Sequence, residues 1–350
     1  MKRFLVKLLI FLLIIFAIIV PVNVLVDPYN VFHYENPVDN GIEPNKNYIK
    51  TKYLIHHKEE FDSLVFGSSR AGFMDVSRIP DGTYYDMASS EAIVGEHVNT
   101  LKVLIKHGFV PKNVLVMVDD ISCFVDPKIH AEYENAMLYR VPYPTGGIIS
   151  HIEFYLKYCD IFTTMNAYQI IKEKTDIDPE FAERFRKTGT ERLDKPTSFT
   201  GYDEAGNEIP GYYADYYSLR VEDAIQEMKE LVALCNENGI RLRVVTNPLY
   251  YKTYGRAVEN GYLKYLDALA DVTPYINFSS VSDVTKEVTN YYEPSHFIPK
   301  VNDMMISCIY ENHVEAGLKD QGFGVEVTKD NKEELIEFLY NQAKEEGFLQ

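Results

Sequence analysis

Two hydrophobic periods alternate along the chain. Short, nearly all-apolar runs closed by turn residues occur at Ser63–Gly67, Thr83–Met87, Asn113–Val118, Arg241–Thr246 and Tyr275–Phe278. Runs of that length bounded by Gly, Pro, Asn or Ser predict buried strands. Between them the period is helical. A short helix is expected over Tyr53–Phe61, ahead of the first strand. Glu91–His107 gathers Ile93, Val94, Val98, Leu101 and Leu104 on one side and stops at Gly108, with Pro111 just beyond. Further helices are predicted over Val221–Asn238, Val258–Asp271 and after Pro299, where Met304, Met305, Ile306 and Ile309 recur. Strands alternating with helices of this length predict an α/β fold of three layers, α/β/α, around a mainly parallel five-stranded sheet.

Two stretches break the rhythm. Residues 124–218 are rich in Tyr, Pro and Gly, with a single helical stretch over His151–Lys174, and read as an insertion covering one end of the sheet. Residues 28–52, rich in Asn, Pro and Tyr without a period, read as a stalk. The expected organisation is a tip and anchor over 1–27, the stalk, a main domain over 53–320 containing the insertion, and an appended tail over 321–350. That tail carries an amphipathic acidic helix at Glu333–Glu346.

The anchor assignment comes from the first residues. From Leu8 to Val26 the chain carries no charge, and as a helix this run rises about 28 Å, close to the ~30 Å hydrocarbon core of a bilayer. Lys2, Arg3 and Lys7 lie only on its N-terminal side, which predicts a cytoplasmic N-terminus and a main domain outside the cell. A cleaved signal peptide would have a shorter apolar region and small residues at its end. Pro21-Val22-Asn23-Val24-Leu25-Val26-Asp27 offers no such site, so a single-pass membrane anchor is expected.

The formal charge of −17 becomes −20 for the part beyond the anchor once Lys2, Arg3 and Lys7 are set aside (−17 − 3), and it disfavours nucleic acid and anionic headgroups as partners. Cys123, Cys159, Cys235 and Cys308 are scattered, without metal-ligand spacing. They are too few for a disulfide scaffold, and buried free thiols are expected. Asp119-Asp120 with His97 or His130 lacks the close spacing of a metal site, so neither metal nor cofactor is expected.

Chemistry is suggested at two separated places. The first strand ends in Gly67-Ser68-Ser69-Arg70, at the sheet edge where open α/β folds hold ligands. A serine there can present both its hydroxyl and its backbone N–H to one cleft; the simpler alternative is that Ser68 and Ser69 cap the following helix. Far downstream lies Glu293-Pro294-Ser295-His296. A serine hydroxyl needs a base within hydrogen-bond reach, and a carboxylate beside the imidazole holds the useful tautomer. Glu293 and His296 on one loop can supply base and orienter. Arg70 could meet an anionic substrate group or pair with a carboxylate. The tyrosine pairs, such as Tyr212-Tyr213 and Tyr250-Tyr251, could stack on sugars but more often pack a core.

Gly67-Ser68-Ser69 after the first strand, with a carboxylate–x–x–His block near the end of the domain, resembles the SGNH (GDSL-type) hydrolase superfamily. The Gly-Ser-Ser variant and the anchor are more similar to its exported branch, which includes proteins of teichoic-acid D-alanylation and alginate O-acetylation. The resemblance spans about Asp62 to Cys308. It implies a flavodoxin-like fold with Ser69 as nucleophile, His296 as base and Glu293 in place of the usual Asp. It also implies an oxyanion hole from the Ser69 and Ser89 N–H groups. The function implied is O-acyl transfer or ester hydrolysis on a cell-surface glycan or teichoic-acid-like polymer. A membrane-bound O-acyltransferase would be the partner that supplies the acyl group. The superfamily's third block, Gly-x-Asn-Asp, stands here as Met117-Val118-Asp119-Asp120, and an ionised Asp119 cannot donate as an asparagine amide does. Asn247, at the end of another strand, is a substitute donor or simply a turn residue. The alternative function is a catalytically weakened domain that binds glycan or a partner. A glycoside hydrolase finds no convincing carboxylate pair.

Overall fold

A computed structural model describes residues 2–132, 137–173 and 178–350, with the side chains of 2, 12, 15 and 130–132 left out. Helix α1 (Lys2–Val26) is long and apolar enough to cross a membrane: over Arg3–Val26 the mean hydropathy reaches 3.2 and 6% is buried. The chain does not then run through a stalk. Asp27 accepts the N–H groups of Val31, Phe32 and His33 at 3.0, 2.8 and 2.7 Å, and Tyr29 and Val31 are buried in the core. Asn30 and Asn40 bond the backbone at Val38 and Pro28. Side-chain-to-backbone bonds fix this segment, so no hydrophobic period announces it. Helix α2 (Lys46–His56) starts earlier than expected, capped by Asn45, and ends where the predicted helix was only beginning.

Strand β1 (Ser63–Gly67) is followed by a 3₁₀ turn (Ser69–Phe73), β2 (Tyr84–Asp86), α3 (Val94–Lys106) and β3 (Asn113–Val118). Helix α4 (Asp120–Phe124) leads into the insertion, which holds α5 (Pro127–Glu132), α6 (Ile148–Lys157), α7 (Ile161–Glu173) and α8 (Phe181–Lys187). The helix expected over His151–Lys174 is thus two, broken at Tyr158–Asp160, and Lys174 lies outside the described residues. The framework resumes with α9 (Val221–Glu237), β4 (Arg241–Thr246), α10 (Tyr251–Glu259), α11 (Tyr262–Ala270) and β5 (Tyr275–Asn277). Gly261, at φ 102°, divides α10 from α11, a backbone conformation that glycine adopts freely. Then come α12 (Asp283–Lys286), a hairpin of β6 (Tyr291–Glu293) and β7 (His296–Phe297), α13 (Pro299–Glu311), β8 (Val325–Val327) and α14 (Lys332–Glu345).

The sheet has six strands in the order β2-β1-β3-β4-β5-β8, parallel except for β8, which runs antiparallel to β5. The sixth strand corrects the expected five. Val325-Glu326-Val327 is too short to stand out from the tail, and it is an edge strand. The tail is part of the core, because Leu335, Leu339 and Ala343 of α14 are buried and α14 packs on α11. Two apolar clusters, one on each sheet face, complete the three layers. From β1 the chain goes to β2 on one side and returns to β3 on the other, so the order reverses at the C-terminal ends of β1 and β3. That is where such sheets open a crevice.

Candidate active site

Gly67 closes β1 for a reason other than turn conformation. A Cβ there would lie 2.6 Å from Ala71 Cβ and 3.0 Å from the Met117 carbonyl oxygen. Only hydrogen lets the turn fold back against β3. Gly67→Ala is therefore expected to lower stability by about 1–3 kcal/mol through overpacking, read as the midpoint of urea unfolding.

The two serines divide the roles foreseen for them. Ser68 caps the 3₁₀ turn, accepting from the Arg70 N–H, and gives its hydroxyl to Asp119 Oδ2 at 2.7 Å. Ser69, at the first position of that turn, is partly exposed, and its Oγ lies 2.7 Å from His296 Nε2. The other ring nitrogen, Nδ1, hydrogen-bonds Glu293 Oε1. Glu293 and His296 face one another across the β6–β7 hairpin, so the extra methylene of Glu is taken up by a strand register rather than a free loop. The hairpin is separate from the main sheet. It is tied down by Thr253 Oγ1 donating to the Pro294 carbonyl at 2.7 Å and by Arg70 Nε donating to the Ser295 carbonyl at 2.9 Å. Phe73 packs beside the imidazole, ring centres 5.2 Å apart.

Burial by itself would raise the Glu293 carboxyl. The hydrogen bond and charge of His296, the Ser295 N–H and the Arg70 charge outweigh it and hold Glu293 below the usual carboxylate range. A depressed folded pKa contributes stability above the unfolded value, and that contribution is lost as pH falls through the folded one. Glu293→Gln should therefore melt lower than wild type at pH 7, with the gap closing in acid below pH 4. A gap that widens in acid would contradict the assignment.

Two site residues expected from the sequence are placed elsewhere. Arg70 is 1% exposed and cannot reach a substrate. Its Nη1 lies 2.9 Å from Asp119 and 2.5 Å from Asp120, and its Nε holds the histidine hairpin. It is a positioning residue, because in this acidic chain the nearest carboxylates captured it. Asn247 is fully buried and donates to Asp119 Oδ2 at 2.9 Å, so it is not an oxyanion donor. Asp119 therefore collects Ser68, Arg70 and Asn247 beneath the 3₁₀ turn. Ser89 stands at the same sheet edge, but its N–H makes a long 3.4 Å bond to the Gly67 carbonyl, and its hydroxyl goes to Asn47 Oδ1 at 2.6 Å. The Ser69 N–H, at a helix start, has no intrahelical acceptor and is the donor best placed for an oxyanion.

Sequence reasoning missed the partners contributed by the supposed stalk and by the insertion. Lys46 pairs with Glu43 and Glu191. Burial would raise the Glu191 carboxyl, but Lys46 and Lys50 hold it low, with a smaller contribution from the charge of His296. Lys50 Nζ donates to the Ala88 carbonyl at 2.8 Å, fixing the loop that carries Ser89. No motif marks these lysines; only the capping Asn45 ahead of Lys46 hints at a helix start. His97 is a core residue stacked on Phe66, and burial pushes its imidazole down to about 3. Among the described residues no three His, Cys, Asp or Glu side chains could hold a metal ion; the His130 side chain lies outside them. The four cysteines are free, and all but Cys159 are buried.

No protein-family model matches the chain, and no curated protein matches it.

Proposed function

We propose that the protein is a membrane-anchored SGNH-type serine acyltransferase or esterase that acts outside the cell on a surface polysaccharide or teichoic-acid-like polymer. The observation that carries this reading is the continuous contact Ser69–His296–Glu293 at the switch point of an α/β sheet. With Nδ1–H donated to Glu293, Nε2 is free to accept the Ser69 proton. Ser69 Oγ then bonds to the acyl carbon of an ester as its proton passes to His296. The tetrahedral oxyanion lies against the Ser69 N–H. Collapse breaks the bond to the leaving alcohol, which takes the proton back from His296, and leaves acyl-Ser69. Water or a glycan hydroxyl next attacks the acyl carbon as its proton passes to His296, and the acyl–Oγ bond breaks as His296 returns that proton to Ser69. A helix at the N-terminus that can span a bilayer supports a substrate at the cell surface, as does the resemblance to exported SGNH proteins. The partner expected to deliver acyl groups is a membrane-bound O-acyltransferase.

One observation favours the second reading, a domain that binds glycan or a partner without turnover. The usual side-chain oxyanion donor is replaced by a buried carboxylate, Asp119, and each missing donor costs about 2.7–4 kcal/mol of transition-state stabilisation. Turnover of a chromogenic acetyl ester by the detergent-solubilised full chain separates the two. The enzyme reading expects a slow, saturable release that accelerates when an oligosaccharide acceptor is added. No release above the buffer rate, with or without acceptor, would leave the binding reading standing.

A further inference from the structure

Helices α6 and α7 carry apolar side chains on the faces turned away from the core. In α6, Phe154 is buried while Ile148, Ile149 and Ile152 are 78%, 68% and 52% exposed. In α7, Thr163 and Ala167 are buried while Ile161, Phe162 and Met165 are 55%, 61% and 61% exposed. Those exposed positions recur at helical spacing, so each helix presents a stripe rather than scattered residues. A surface of this kind on a soluble domain marks an interaction site.

The position of the stripe indicates its occupant. Helix α1 packs against α7, and Asn23, fully buried near its end, donates to the carbonyls of Tyr158 and Asp160 at 3.0 Å each. Thr164 at the start of α7 donates back to Asn23 at 2.9 Å. The corner between α6 and α7 is therefore fastened to the last turn of α1. From Arg3 to Val26 that helix rises about 36 Å and its uncharged part from Leu8 about 28 Å, so against a hydrocarbon core of ~30 Å Asn23, three residues before its end, falls within about 5 Å of the outer boundary. Ile161 and Phe162 of the α7 stripe follow that corner directly in the chain.

We propose that α6 and α7 lie in the outer interface of the bilayer, with Ile148, Ile149, Ile152, Ile161, Phe162 and Met165 inserted among the lipid chains. The proposal rests on α1 being a membrane span. Interfacial helices of this type bury their apolar face about 5–10 Å into the headgroup and acyl boundary. The stripe residues are uncharged, so this contact needs no anionic lipid and is compatible with a strongly acidic chain. The same corner reaches the candidate site. Asn45 donates to Tyr158 Oη, and two residues on, Asn47 holds Ser89. Docking would thus orient the Ser69 cleft to the membrane instead of leaving the domain to swing on a tether.

The test uses the full chain in phosphatidylcholine vesicles with a Cys159→Ser background. Single spin labels are placed through Ile149→Cys, Phe162→Cys, Ile10→Cys in α1 and Glu204→Cys on an exposed loop. Collision with oxygen, which concentrates in lipid, is compared with collision with a water-soluble nickel chelate. Labels at 149 and 162 should favour oxygen as the label at 10 does, and the label at 204 should favour nickel. Labels at 149 and 162 that behave like 204 overturn the proposal while leaving the span intact. Protection from both reagents would show a protein covering the stripe and would also overturn it. A nickel-accessible label at 10 would remove the span and the proposal together. The labelled positions are exposed, so folding is not at stake; unchanged circular dichroism verifies it.

Discussion

Ser69→Ala should abolish ester turnover, with a loss in kcat of at least about 10³-fold. The size follows from what surrounds the hydroxyl. Ser69 Oγ is 2.7 Å from His296 Nε2, whereas the neighbouring Ser68 hydroxyl is committed to Asp119 and cannot take over. His296→Ala should lose a similar factor. The double variant should lose little more, since members of one catalytic unit are not additive. Both singles should melt within about 1 kcal/mol of wild type, because neither side chain is fully buried. A steady-state assay on a chromogenic acetyl ester, paired with thermal melts, checks the set. Ser69→Ala retaining more than a tenth of wild-type turnover would place the nucleophile elsewhere.

Arg70→Ala carries the largest expected effect on stability. The guanidinium is buried with Asp119 and Asp120, and removing it leaves two carboxylates facing each other out of water. Breaking a buried ion pair from one side costs about 3–5 kcal/mol. Burial tends to raise the Asp120 carboxyl and Arg70 opposes that, so in the variant Asp120 should take up a proton near neutral pH. Denaturant midpoints measured from pH 5 to pH 8 should show the deficit growing as pH rises. Arg70→Lys separates structure from positioning. It keeps a charge but cannot serve two carboxylates and the Ser295 carbonyl together in the fork geometry of arginine. It should recover part of the stability while kcat stays depressed by about tenfold or more, with KM little changed. Full activity in Arg70→Lys would show that the bond to Ser295 does not position His296.

The sequence made the framework legible wherever one physical signal was strong. Asn113–Val118 and Arg241–Thr246 are bounded as expected, because buried parallel strands read as unbroken apolar runs. The edge strand at Val325–Val327 has too few residues to give such a run. Residues 28–52, expected as a stalk, show no hydrophobic period because much of their order comes from Asp and Asn side chains, from Asp27 to Asn45, bonding backbone groups. Lys46 and Lys50 fall in that stretch with no motif to single them out, although both are buried beside the site. The juxtaposition of Ser69 and His296 was legible because each follows a turn signal whose place in the fold is constrained. The fates of Arg70 and Asn247 were not. Each has several polar partners within reach once the chain folds, and only the packing beneath the 3₁₀ turn decides among them.

The central claim is that Ser69 becomes acylated. Full-length protein mixed with an excess of an activated acetyl ester, quenched in acid within seconds and digested, gives a direct readout by peptide mass spectrometry. The account predicts one added acetyl group on the peptide containing Gly67-Ser68-Ser69, fragmenting to Ser69 and absent from Ser69→Ala and His296→Ala. Acetylation spread over lysines with Ser69 unmodified, or an equal yield in Ser69→Ala, would contradict it.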